Sequence, residues 1–206
     1  MASDKAYSEA KKRIALASEL GLVNLDLRNL GLAELPESIG ELEQLKSLKL
    51  GYNHMQGGRM NCLHALPQSI ENLIHLQQLD LCFNQLVSVP EWFKGFSRLR
   101  VLDLSFNQLI QLPDWLGRFS QLQEIRFGNN HLKGVPQALG NLAQLRVLCL
   151  ANNQLKDLPQ SIGYLNQLRD LNLDNNPLNA ELSFAYEQGV VAVQDYLRDQ
   201  VLAQAG

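Results

Sequence analysis

Residues 79–90, LDLCFNQLVSVP, and residues 102–113, LDLSFNQLIQLP, are one phrase written twice. It returns as IRFGNNHLKGVP at 125–136, LCLANNQLKDLP at 148–159 and, cut short, LNLDNNPL at 171–178. The asparagines Asn84, Asn107, Asn130, Asn153 and Asn176 stand 23 residues apart throughout. Two earlier segments are weaker copies. LKLGYN ends in Asn53, and LDLRNL carries Leu30 where the asparagine belongs. A fixed period of this length is the mark of stacked supersecondary units, none of which can bury its apolar face alone.

One unit, from Leu99 to Gln121, shows what the pattern predicts. Val101, Leu102, Asp103 and Leu104 form a short strand, with Leu102 and Leu104 pointing inward by two-residue alternation. Asn107 turns the chain, its amide donating to and accepting from backbone groups that the bend leaves unpaired. Stacked in register, Asn53, Asn84, Asn107, Asn130, Asn153 and Asn176 make a ladder. Leu109 and Leu112 close the core, and Pro113 suits a segment leaving the sheet because it has no ladder donor. Trp115 to Phe119 form a short helical turn on the outer side, with Leu116 and Phe119 inward at i, i+3.

The pattern is the L-x-x-L-x-L-x-x-N-x-L signature of a leucine-rich repeat. The fold class expected is α/β: a leucine-rich repeat solenoid, or horseshoe, of seven repeats with a parallel concave sheet and helical caps at both ends. Residues 1–21 are expected to cap the N-terminal end, with Asp4 as N-cap, Gly21 as terminator and Tyr7, Ala10, Ile14, Ala17 and Leu20 on the packed face. The repeats are expected over 22–179. Residues 180–206 are expected to close the other end, with Val190, Val193, Leu197 and Val201 on one stripe of a helix over 190–202.

Between strands the chain reads LPESIGEL, LPQSIENL and LPQSIGYL. These segments resemble the intracellular Ras-group leucine-rich repeat proteins, the group that includes the Ras suppressor protein and its plant relatives. The leucine-rich repeats of Roco GTPases are similar. The segment NPLNAELSFAYEQGVVAVQDYLRDQ resembles the C-terminal cap of both groups. The resemblance covers nearly the whole chain and implies binding: such relatives act as scaffolds in small-GTPase, kinase, phosphatase or adhesion systems. The chain has no G-x-x-x-x-G-K-[ST] motif, so GTPase activity is not implied.

Composition narrows the rest. The chain has 206 residues, 46% of them hydrophobic, and a net charge of −3, which argues against a general nucleic-acid binder. No apolar run approaches the roughly 20 residues that span a bilayer, and MASDKAYSEAKKRIALASEL lacks a signal peptide's apolar stretch. The expected compartment is the cytoplasm, with Cys62, Cys82 and Cys149 reduced. His54, Cys62 and His64 match no standard zinc spacing. Asp80 and Asp103 are adjacent on an open wall that provides no water-excluding cleft. No metal, cofactor, small-molecule substrate or catalytic residue is expected.

A protein partner is therefore expected on the concave wall. Its outward column reads Asp26, Lys49, Asp80, Asp103, Arg126, Cys149 and Asn172, with Gly51, Ser105, Gly128 and Ala151 leaving room beside it. Tyr52, Phe83 and Phe106 form an aromatic column at its edge, of the kind that anchors interfaces or half-buries between turns. Together Tyr52, Asp80, Phe83, Asp103, Phe106 and Arg126 are the candidate contact residues. An eight-residue insertion, read at 55–62 from the long Asn53-to-Pro67 spacing, is expected near the concave rim, with Arg59 and Met60 available to a partner. On the convex side, Trp92 and Trp115 share one slot of adjacent repeats. They make either a second apolar contact patch or two rings lying flat over the outer core. The alternative function is an assembly domain of a larger GTPase or kinase system, or a bacterial host-directed effector, acting through that patch.

Overall fold

The computed structural model describes residues 2–204, with side chains over 4–200. Helix α1, Ala2–Glu19, precedes seven three-residue strands: β1 Asn24–Asp26, β2 Ser47–Lys49, β3 Gln78–Asp80, β4 Val101–Asp103, β5 Glu124–Arg126, β6 Val147–Cys149 and β7 Asp170–Asn172. Helices α2, Ala180–Glu187, and α3, Val190–Gln204, follow. The strands pair in chain order, β1 to β7, all in parallel. Each return path after the first strand carries a five-residue 3₁₀ turn preceded by proline, as in Pro113 before Asp114–Arg118. The architecture is a leucine-rich repeat solenoid with helices at both ends.

The repeat sequence explains each step. Leu102, Leu104, Leu109, Leu116 and Phe119 are all buried, and the neighbouring repeats place equivalent side chains directly above and below them. The Leu104 N–H donates to the Arg126 carbonyl at 2.8 Å, extending the sheet one bond beyond the strand. Asn107 then reaches both ways. Its Nδ2 donates to Leu81 O of the preceding repeat and to Leu104 O of its own, at 3.0 and 3.1 Å. Its Oδ1 accepts the Leu86 N–H at 3.0 Å. Asn84, Asn130, Asn153 and Asn176 repeat this set. On the outer side, the glycine of the Leu-Gly pair is sterically required. A Cβ on Gly117 would stand 2.1 Å from the Ala138 carbonyl oxygen.

The second repeat departs from the expectation. Its ladder asparagine is Asn61, not Asn53. Asn61 is buried, and its Nδ2 donates to Leu27 O and Leu50 O at 3.0 and 2.7 Å. Among the described residues, the Asn53 side chain instead accepts a local N–H, from Met55. The extra residues therefore lie at 53–60, ahead of the ladder residue rather than at 55–62 behind it. Asn61 is also 23 residues before Asn84, and NCLHALP matches NQLIQLP from the asparagine to the proline.

The two ends are closed differently. Ala10, Ile14 and Ala17 of α1 are buried against the first repeat. Gly21, at φ +59, lets the Leu22 N–H return to the Ala17 carbonyl at 2.8 Å and stop the helix. Leu20 lies on the exposed side of α1 rather than in the packed face, and Asp4 lies inside the first turn rather than at the N-cap. At the far end, Val193 and Leu197 of α3 are buried, while the Val201 side chain lies outside the described residues. Helix α2 was not expected from the sequence. It positions Tyr186, whose hydroxyl accepts the Leu173 N–H at 3.1 Å and donates to Asp174 at 2.9 Å. In the repeat before, the Leu150 N–H goes to the Asn172 carbonyl. The phenol thus takes the place of an eighth strand's carbonyl, satisfying an open sheet edge.

Candidate functional site

The concave wall is built from the outward residues of the strands. The register aligns Asp26, Lys49, Asp80, Asp103, Arg126, Cys149 and Asn172 in one row. The acidic members have local structural duties. Asp26, Asp80 and Asp103 each accept the N–H of the residue two positions on, at 2.9 to 3.1 Å. Asn172 makes the same bond to Asp174 at 3.0 Å. Asp26 and Arg28 form an ion pair at 2.6 Å, and Arg126 pairs with Glu124.

These contacts set the local charge. Burial raises the Asp26 carboxyl, but the Arg28 hydrogen bonds and charge outweigh it and hold it below its ordinary value. Burial pushes the Asp103 carboxyl up, and Asp80 adds to the rise against the Ser105 hydrogen bonds. The Cys82 sulfur lies within 4.8 Å of both carboxylates. Burial first, then the charge of Asp80, pushes its thiol up to about 12, so it remains a protonated, poorly nucleophilic group at neutral pH. The Asp80 carboxylate and Cys82 sulfur occupy the space in front of Gly51, where a Cβ would meet them at 2.4 and 2.5 Å. Gly51 is thus filled from within and leaves no room for a partner backbone.

Beside the wall runs an aromatic rail. Phe83 and Phe106 stack with ring centroids 3.9 Å apart and planes 9° apart. Tyr52 meets Phe83 edge-on at 5.7 Å. Phe106 remains 42% exposed and Phe83 is half-buried. Both phenylalanines have left-handed backbones, at φ 55° and 54°. The same slot holds Asn29, Asn129, Asn152 and Asn175 in other repeats, also at positive φ. Asparagine tolerates this region, whereas bulky residues there are strained.

The insertion adjoins the rail. Met60 is 54% exposed and lines, with Cys62, Phe83, Gln85 and Phe106, a depression of about 310 Å³. The loop itself is pinned to the first repeat. Arg59 N–H donates to Asn29 O at 3.1 Å, and Arg59 O accepts from Gly31 at 3.0 Å. The Asn29 amide donates to Asn53 O at 2.7 Å and also to Gly57 O. Gly58, at φ +100, is pressed so close to Asn29 that a Cβ would stand 2.5 Å from its carbonyl. Gly58 therefore serves close packing, while Gly57, at φ +65 with open space where a Cβ would stand, serves the turn. The pair leaves the Arg59 side chain exposed beside α1 and Met60 beside the rail.

Of the two readings of the convex tryptophans, the structure favours rings packed over the outer core. Trp115 is 8% exposed, buried against Phe119 and Phe93 at centroid distances of 5.9 and 6.5 Å. Trp92 is half-buried over Phe93 and Phe96. Trp115 completes the outer core, and only Trp92 keeps part of its ring at the convex surface. Tyr52, Phe83, Phe106 and Met60 are brought together; Asp80 and Asp103 lie on the adjoining wall, and Arg126 lies one strand further, tied to Glu124. Asn29 and Asn61, which fix the loop, escaped the sequence reading although the 23-residue spacing pointed to Asn61.

Residues 74–132 and 120–178 match the leucine rich repeat family. None of the curated proteins matches the chain. Among solved structures, the leucine-rich repeat ectodomain of the Arabidopsis thaliana membrane receptor kinase GASSHO1/SCHENGEN3, in complex with Casparian Strip Integrity Factor 2, is 30% identical. It superposes with a TM-score of 0.67 over 84% of this chain and 21% of that one. A leucine-rich repeat protein of Leptospira interrogans is 27% identical, with a TM-score of 0.47, over 80% of this chain and 52% of that one. The chain thus spans about half the length of the bacterial protein and about a fifth of the plant ectodomain. Among the described residues, no helix is long and apolar enough to cross a membrane.

Proposed function

The chain belongs to the leucine-rich repeat family, and from that premise we propose that it holds a protein partner against the concave wall and the Phe83–Phe106 rail. Leucine-rich repeat domains generally mediate protein–protein interaction. The observation that carries the reading is the pair of strained phenylalanines, Phe106 exposed and Phe83 half-buried. A left-handed backbone costs a bulky residue about 1–3 kcal/mol, and four other repeats avoid that cost with Asn29, Asn129, Asn152 and Asn175. Strain kept at aromatic rings that reach the surface points to a contact made by those rings. The stacked faces, with Met60 beside them, offer a preformed apolar anchor that orders little on binding, and Asp80 and Asp103 favour a cation next to it. The plant ectodomain's complex with an integrity factor supports a protein ligand for this fold.

The finer assignment is a Ras-group scaffold acting beside a small GTPase or kinase, and it rests on the LP-x-x-IG-x-L segments. A cytoplasmic setting is supported by three unpaired cysteines, two of them partly exposed. The test is affinity capture with wild type and with Phe83→Asn plus Phe106→Asn, which keeps the backbone preference and removes the rings. A partner retained by wild type and lost by the folded double variant supports the rail. An identical set of captured proteins overturns it.

A further inference from the structure

Terminal caps of a solenoid normally present a polar outer face. Both caps here break that rule, in complementary ways. Leu16 on α1 and Leu20, in the turn just past its end, sit one turn apart and are 51% and 61% exposed, and Leu22 and Val23 extend the patch. Lys12 is exposed one turn before Leu16, and Lys5 is exposed two turns earlier on the same face. Arg13 is occupied by Glu9 at 2.8 Å. At the other end, α2 and α3 flank a shallow, open groove of about 620 Å³ with Phe184, Ala192 and Tyr196 in its lining. Phe184 is 67% exposed. Glu181, Asp195 and Asp199 rim the same groove. The only base between residues 180 and 200 is Arg198, and it is engaged with Asp195 and the Gly163 carbonyl.

We propose that the chain self-associates head to tail: the Leu16–Leu20 ridge of α1 in one molecule seats in the Phe184–Tyr196 groove between α2 and α3 of the next. A helix offering apolar residues at i, i+4 is the shape that a two-helix groove accepts. The basic first half of the ridge meets the carboxylate rim. The surrounding negative field is already visible at Tyr196, whose phenol is pushed up by burial and then by the charges of Asp157 and Glu181. Because the two patches differ, the contact is heterologous, and it propagates in one direction rather than closing as a symmetric dimer. It uses neither the concave wall nor the rail, so it stands independently of the proposed partner site.

Sedimentation velocity over a concentration series tests this. Wild type is expected to grow beyond a dimer as concentration rises. Leu16→Gln plus Leu20→Gln, and separately Phe184→Gln, each weaken association about tenfold or more. All three substituted side chains lie at exposed positions, and circular dichroism checks the fold. The decisive arm mixes the two variants. Each retains one intact patch, so the mixture forms a dimer and nothing larger. Lys12→Glu weakens association, and combining it with Glu181→Lys and Asp199→Lys restores it. A wild type that stays monomeric to about millimolar concentration overturns the proposal. So does a mixture that shows no dimer, which would mark a symmetric contact, or association that survives both variants. Phe83→Asn plus Phe106→Asn leaves self-association unchanged.

Discussion

The Oδ1 of Asn61 accepts the backbone N–H of Leu32 at 2.9 Å, across the junction between the first two repeats. Asn107 does the same for Leu86 two repeats further on. The ladder residue of this first junction is therefore supplied after a loop of extra chain, and its amide bonds are buried. Asn61→Ala is expected to cost about 1–3 kcal/mol by orphaning their backbone partners. Asn53→Ala, at a site with one exposed local bond, is expected to stay within about 0.5 kcal/mol of wild type. Urea unfolding of the two variants decides the order, and equal midpoints would remove Asn61 from the ladder.

The rail makes a second prediction, about stability rather than binding. Phe106→Asn relieves a left-handed phenylalanine, while losing a stacked pair worth about 0.5–1.5 kcal/mol. Phe106→Ala loses the stacking and keeps most of the strain. The asparagine variant is expected to exceed the alanine variant by on the order of 1 kcal/mol and to match or exceed wild type. Thermal unfolding of the three proteins measures it. An alanine variant as stable as the asparagine one would mean that strain is not what distinguishes this slot.

At the C-terminal end the prediction concerns one hydroxyl. Tyr186→Phe keeps the ring and removes the acceptor for the Leu173 N–H. Stability should fall by about 1 kcal/mol. Hydrogen exchange at the Leu173 amide should accelerate much more than at Leu150, whose acceptor is the Asn172 carbonyl. Unchanged exchange at Leu173 would mean that water already serves that amide.

These elements differ in how readable they were. The strands and the ladder from Asn84 to Asn176 follow from apolar alternation and one polar residue at fixed spacing, both of which survive in a bare sequence. Asn61 was equally readable, but LKLGYN offered a local match in Asn53 and drew the insertion to the wrong side. The αL strain at Phe83 and Phe106 is a backbone property. Its trace lay in the asparagines of the same slot, Asn129, Asn152 and Asn175. The depth of Trp115 depends on how Phe93 and Phe119 fill the outer core, which no single repeat encodes. Helix α2 is short, eight residues between Asn179 and Gly189, and packs few of them, so its periodicity is weak.

Asp103 and Asp26 occupy the same row yet should respond to pH in opposite directions. The Asp103 carboxyl is raised on folding, chiefly by burial, so the folded state binds its proton more readily than the unfolded chain. Its ionised form therefore costs stability at neutral pH, and the cost is relieved as pH falls through the raised folded value. Asp103→Asn should stabilise the protein at pH 7, because an asparagine Oδ1 can still accept the Ser105 N–H, as Asn172 accepts from Asp174. That gain should shrink in acid. Asp26 is opposite in sign. Burial raises its carboxyl, but Arg28 outweighs burial and holds it low. Its contribution is present above the ordinary carboxylate value and disappears as pH falls through the lowered folded value. Asp26→Asn should destabilise at pH 7 and approach wild type in strong acid. Unfolding midpoints of the two variants from neutral pH down to about pH 3, below the ordinary carboxylate range, test both signs. A destabilised Asp103→Asn at pH 7 would show that the charge itself supports the fold. A stabilised one that also loses its captured partner would show that the carboxylate is kept at a stability cost for the surface it presents.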